Sequence, residues 1–130
     1  MRHITVVAED RTGLIAELTD LLARHQINID ALNAQLYGHD AVIHIEVDQY
    51  EKTIHALEEE QFRVIADEAV LLRIADQPGA LAMASKRLAE NNIDIRSMTV
   101  VQRHDGYTIV AVGCSDNAAA RNVLADVLVN

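Results

Sequence analysis

The 130-residue chain carries 11 basic and 20 acidic side chains, a formal charge of −9, 50% apolar residues and no tryptophan. That is enough for one core or for two half-size modules sharing one. The acidity opposes phosphate backbones and anionic lipid surfaces, so neither direct nucleic-acid binding nor membrane binding is expected. A single cysteine, Cys114, rules out an internal disulfide, a thiolate zinc site and a dithiol redox pair. The opening apolar run over residues 4–7 is too short for a signal peptide or a membrane span, and a cytoplasmic location is expected.

Residues 4–8 are short, apolar and β-branched and predict a strand, followed by a turn at 10–13. Leu14, Ile15, Leu18, Leu21 and Leu22 then recur at helical spacing, with Glu17, Asp20 and Arg24 left for the polar side. Residues 28–37 and 42–47 predict a hairpin about Gly38, His39 and Asp40. A second helix through Ile54 and Leu57 and a strand over 62–66 complete the series.

Only Asp67 and Glu68 then intervene, too few to let two bodies tumble independently, so a rigid pair is expected. The series starts again with a strand at 70–74, a turn at 76–79 and a helix through Leu81, Ala84 and Leu88. A hairpin follows, with strands at 94–103 and 107–113 about His104, Asp105 and Gly106, then a helix through Val123, Leu124 and Val127.

A shift of 66 positions superimposes the halves without a gap. Asp10 falls on Asp76, Gly13 on Gly79, Leu22 on Leu88, Ile27 on Ile93, Ile29 on Ile95 and Ile43 on Ile109. The expected fold is α+β, two ferredoxin-like βαββαβ units in tandem, each an antiparallel sheet with helices on one face. The expected modules are residues 1–66 and 69–130. By the offset the last strand would start near Leu128, yet the sequence stops at Asn130, so that strand should be stunted, supplied by another chain or absent.

The third strands predict a difference between the copies. In the first, Ile43, Ile45 and Val47 alternate with His44, Glu46 and Asp48. In the second, Ile109 and Ala111 alternate with the equally apolar Val110, Val112 and Cys114. The Val110 and Val112 side is therefore expected on the face away from the helices, covered by self-association or by the first copy.

The repeated turns, with Asp10, Thr12, Gly13 and Leu14 in one copy and Asp76, Gly79 and Ala80 in the other, offer binding chemistry. Glycine at a helix start leaves backbone N–H groups uncovered for a carboxylate, and an acid three residues earlier suits an ammonium. Together they fit the zwitterionic end of a free amino acid. The same residues equally suit a structural role, with Asp10 and Asp76 shaping turns, Thr12 capping the first helix and Pro78 fixing the second. Asn28 and Asp94, at the start of the second strand of each copy, either hold ligand or satisfy strand-end backbone groups.

From residue 4 to Asp30, and from Leu72 to Ile95, the Asp-x-x-Gly turns and the Asn28-Ile29 and Asp94-Ile95 strand starts resemble the ACT domain. As a tandem pair the resemblance spans nearly the whole chain. It implies a regulatory module that binds a small molecule, usually an amino acid, where the strand-to-helix loop of one module faces the second-strand start of another. Asp10, Gly13, Leu14 and Asn28, with Asp76, Gly79, Ala80 and Asp94, then take the ligand. Thr12 stands where the family often has proline, and Asp94 where amino-acid binders often have asparagine. The chain resembles stand-alone ACT pairs, including regulators similar to the glycine cleavage repressor, so no enzyme activity is expected and output should pass through an enzyme or transcriptional-regulator partner or through self-assembly; the apolar sheet face predicts a homodimer.

Other chemistries find less support. Six histidines lack recognised metal-ligand spacing, so no metal and no cofactor are expected. Four aromatics on an acidic chain do not make an RNA-binding sheet. There is no nucleophile elbow or phosphate loop. The main alternative is a protein-interaction or dimerisation module that needs no ligand.

Overall fold

Alternation in the opening run becomes β1 (Arg2–Glu9), with Ile4 and Val6 turned towards a helix layer. The computed structural model describes residues 2–65 and 69–129. It divides into two units, Met1–Asp67 and Glu68–Asn130. The link at Asp67 and Glu68, on which the rigid-pair expectation rests, lies outside the described residues, as do Ala66 and Asn130.

In the first unit β1 leads to α1 (Leu14–Arg24), β2 (Ile29–Tyr37), β3 (Asp40–Val47), α2 (Tyr50–Glu59) and β4 (Arg63–Ile65). The sheet order is β2-β3-β1-β4, antiparallel throughout. Leu14, Leu18, Leu21 and Leu22 of α1 and Ala56 and Leu57 of α2 pack on Ile4, Val6, Ile43 and Ile45. The second unit runs β5 (Val70–Ala75), α3 (Ala80–Glu90), β6 (Ile95–His104), β7 (Tyr107–Cys114) and α4 (Asn117–Val123), in sheet order β5-β7-β6. The architecture is α+β, with the repeated ferredoxin-like plan.

The first three helices end alike. Gln26, Gln61 and Asn92 take positive φ, and the following residue, Ile27, Phe62 or Ile93, donates its N–H to Leu22, Leu57 or Leu88 at 2.9 Å. This is the Schellman arrangement, and the apolar residue after each left-handed position enters the core it closes.

The second hairpin departs from the expected register. Val100 pairs with Val110 but Gln102 pairs with Ile109, which leaves Val101 as an extra residue in a β-bulge with no counterpart in β2. From that point the repeats align at 67 positions, not 66. Val6 faces Ile43 in the first unit, and Leu72 faces Val110 in the second. A one-residue slip reverses every side chain of a strand. Val110, Val112 and Cys114 therefore lie in the core beneath α3, whereas Ile109 and Ala111 take the face away from the helices, the reverse of the expectation. Val42 and Val7 stand on the corresponding face of the first unit together with Thr5, His44 and Glu46, whereas Leu71, Ile109 and Ala111 occupy it in the second, so the contrast between copies persists through different residues.

After α4 a 3-10 turn (Ala125–Val127) brings Leu128 into one antiparallel bridge with Leu72, and the Val129 N–H donates to the Leu71 carbonyl at 2.9 Å. Arg87 clamps this segment, donating to both Asp126 carboxylate oxygens at 2.7 and 3.2 Å and to the Val123 carbonyl at 2.8 Å. The Arg87 hydrogen bond holds the Asp126 carboxyl below the ordinary aspartate range. A pKa depressed by folding means the clamp is complete above the ordinary value and is lost as pH falls through the depressed one. Amide protection over residues 127–129 is expected to fall with that acid step. Asp126→Asn is expected to lower the protection at neutral pH and to abolish the step; equal protection in the variant would exclude the clamp.

Candidate functional site

Both strand-to-helix loops are built around a glycine that only its conformation requires. Gly13 has φ +86° and Gly79 φ +91°, yet an added Cβ would meet nothing within 4 Å at either. Each is the N-cap of its helix, and neither helix receives a side-chain cap. The contrast within the chain is α4, whose first turn is capped by Asp116 through the Ala119 N–H at 3.0 Å. Thr12 therefore does not cap α1. The N–H groups of Ile15 and Ala16 in α1, and of Leu81 and Ala82 in α3, have no partner among the described residues, and they carry the positive end of each helix dipole.

Leu14 and Ala80 differ from the expectation. Their side chains are buried in the cores, and their N–H groups close the turns onto the carbonyls of Arg11 and Gln77 at 3.1 and 3.3 Å. Neither offers a free group to a ligand. The first helical residue of each loop is consumed in making the turn, and the open donors lie one and two residues later.

The two acidic positions are differently placed. Asp10 is exposed, and its neighbour Arg11 pairs with Glu17 at 2.6 Å. Asp76 is exposed as well, with its side chain 29% exposed, and accepts from Arg103 Nε of β6 at 3.3 Å. Asn28 and Asp94 use their backbone N–H groups on Asp48 and Ser115, at 3.2 and 3.0 Å, and the Asn28 amide also donates to Asp30 at 2.9 Å. At both strand starts it is the facing side chain, Asp48 or Ser115, that satisfies the backbone N–H, and the Asn28 amide bonds to a side chain, which is not the arrangement of the structural alternative.

Within a unit these strand starts do not meet the glycine loops. Glu9 pairs with Asp40 at one end of β3 and Ile29 with Val47 at the other; likewise Ala75 with Tyr107 and Ile95 with Cys114 on β7. At ~3.3 Å per residue the ends lie about 23 Å apart.

The second loop opens onto a cleft of about 190 Å³ lined by Asp76, Pro78, Gly79, Leu81, Val100, Arg103 and Thr108 among others. This is below the roughly 300–1,000 Å³ of drug-sized sites and suits a small metabolite. Arg103, Val100 and Thr108 escaped the sequence reading. The available signal was comparison of the repeats, but the ungapped offset misaligns the hairpins. At 67 positions Arg103 falls on Leu36 and Thr108 on Ala41.

Burial, with Asp94 nearby, pushes the Cys114 thiol up, away from a reactive thiolate. No group of three or more His, Cys, Asp or Glu side chains converges on a metal-sized site among the described residues, and none of the described helices is long and apolar enough to cross a membrane.

The ACT domain family model matches residues 2–35, which run from β1 through α1 into β2. That stretch of the first unit is similar to the ACT domain. The second unit repeats the order of strands and helices up to the last strand, and its first long helix also starts at a glycine. A solved protein of Bacteroides thetaiotaomicron is 23% identical, with 98% of this chain and 90% of that one covered at a TM-score of 0.50. The ACT domain of a prephenate dehydrogenase from Bacillus anthracis is 28% identical over 49% of this chain and 100% of its own, at 0.44. The regulatory subunit of aspartate kinase from Thermus thermophilus is 15% identical, with 95% and 90% covered, at 0.45. No curated protein matches the chain.

Proposed function

We propose that this tandem ACT chain is a regulatory sensor without enzyme activity that binds a free amino acid and passes occupancy to a protein partner. The observation that carries the reading is the uncapped start of α3, open to a small cleft that also holds an acid and a base, Asp76 and Arg103. The free N–H groups favour a carboxylate and the acid favours an ammonium. Asp10, Thr12 and Gly13 form the corresponding loop of the first module. Asn28 and Asp94 lie too far from the loops of their own modules to complete these sites, so their share in binding requires an opposing module. Binding then favours one arrangement of modules over another, by no more than the ligand's difference in affinity for the two.

A thermal-shift screen of the full chain against the twenty amino acids, confirmed by calorimetry, tests the reading. One amino acid should raise the midpoint in proportion to log concentration, with about 2.7 kcal/mol of stabilisation at a hundred times its Kd. Flat melting curves at millimolar concentrations of all twenty would instead favour a ligand-independent interaction module. The observation on that side is β2, an edge strand of nine residues with Leu36 60% exposed and Leu32 37% exposed, a surface fitted to homodimerisation.

A further inference from the structure

Two long strands of this chain have a neighbouring strand on one side only. β2, nine residues long, is bonded to β3, and β6, ten residues long, to β7, so each presents backbone N–H and carbonyl groups at the rim of its sheet. The opposite rims are short or partly occupied. β4 has three residues, and Leu128 and Val129 bond to β5.

Exposed apolar side chains gather at the same two rims. Among the described residues seven large hydrophobic side chains are exposed, and four of them, Leu32, Leu36, Met98 and Val100, belong to β2 and β6. Leu32 is paired with Ile45 and Leu36 with Ala41, while Met98 is paired with Val112 and Val100 with Val110. Those partners lie in the cores, so all four side chains stand on the helix side of their sheets. An antiparallel joint between two rims keeps both helix layers on one side and sets these side chains against each other.

A second copy could be joined in three ways: β2 to β2, β6 to β6, or β2 to β6. Charge separates them. Residues 1–67 hold 5 basic and 13 acidic side chains, whereas residues 68–130 hold 6 and 7. The rims differ in sign as well. β2 contains one acid, the exposed Asp30, and no lysine or arginine; β6 contains two exposed arginines, Arg96 and Arg103, and no acid. Joining two β2 rims brings the two strongly acidic units together, and joining two β6 rims sets arginines against arginines. The mixed joint is the one that places an acidic rim on a basic one.

We infer that the chain self-associates through this mixed joint, with β2 of one copy lying antiparallel beside β6 of a second copy. The contact uses two different surfaces, so it closes on a pair of copies through two joints or continues from copy to copy. Association of this kind needs no ligand.

Analytical ultracentrifugation of the full chain tests the joint with two variants altered at exposed positions. Leu32→Lys with Leu36→Lys gives β2 the sign of β6, and Met98→Glu with Val100→Glu gives β6 the sign of β2. The parent should be associated at tens of micromolar. Each variant alone should associate at least about tenfold more weakly, because like charges then meet at every joint. An equal mixture should recover association to within about threefold of the parent, since the basic β2 of one variant meets the acidic β6 of the other while the unaltered rims make the second joint. Recovery on mixing also shows that both variants are folded.

A monomeric parent at that concentration, or a mixture no more associated than its components, would overturn the joint. So would a glutamate variant that still pairs alone, the mark of a β2 to β2 contact, or a lysine variant that still pairs alone, the mark of β6 to β6.

Discussion

Removing Val101 is expected to unfold the sheet of the second unit at temperatures where the parent chain remains folded. The start of β6 is anchored by Ile93 and Ile95 against the core, and β7 is anchored by six successive pairs with β5. Joining Val100 directly to Gln102 removes the bulge that reconciles those anchors. One anchor must then give. If β7 turns over, Val110 and Val112, both fully buried, leave the core and Ile109 and Ala111 replace them against α3. Ile109 is itself 0% and Ala111 9% exposed, so the exchange misfits two packed faces at once, at about 1–3 kcal/mol for each misplaced side chain, together comparable to the stability of a small domain. Val101→Ala keeps the residue count and should lose only the buried methyl groups, about 2 kcal/mol. Thermal melts with hydrogen exchange over residues 107–114 compare the two, and a deletion variant that melts like the alanine variant would remove the bulge from the account of register.

Leu88→Ala should lower the stability of the second unit by about 2–5 kcal/mol in chemical denaturation. The size of the effect follows from how differently the two equivalent helices are anchored. The buried residues of α1 are Leu14, Leu18, Leu21 and Leu22, whereas α3 buries Ala80, Ala84 and Leu88. Leu88 is thus the one large side chain by which α3 holds the core, and it is 1% exposed. Its carbonyl also receives the Ile93 N–H that closes the helix. A cavity there loosens the helix whose start forms the cleft, so the variant should also weaken amino-acid binding without touching ligand. A loss below about 1 kcal/mol would mean that the small residues of α3 carry its packing.

The strand and helix order, the α+β class and the tandem plan were legible because each rests on contiguous residues. Leucines at helical spacing mark α1 whatever else the chain does, and Asp-x-x-Gly marks both helix starts. The capping role allowed for Thr12 failed for a local reason: the glycine after it takes the cap position in a left-handed conformation. Leu14 and Ala80 were misjudged by one residue, since the turn consumes the first helical N–H and exposes the next two.

By itself the sequence determined the elements, the core sides of β1, β5, α1 and α3, the glycine-started helices and the acidic surface charge. All follow from periodicity, composition and backbone preference within a few neighbouring residues. Only the tertiary structure decided which side of β7 faces the core, because a bulge is defined by its pairing partner and leaves no mark in the strand that contains it. It also decided the composition of the cleft. Asp76 and Arg103 lie 27 residues apart in the chain and come together only when β5, β6 and β7 have paired with Val101 set aside.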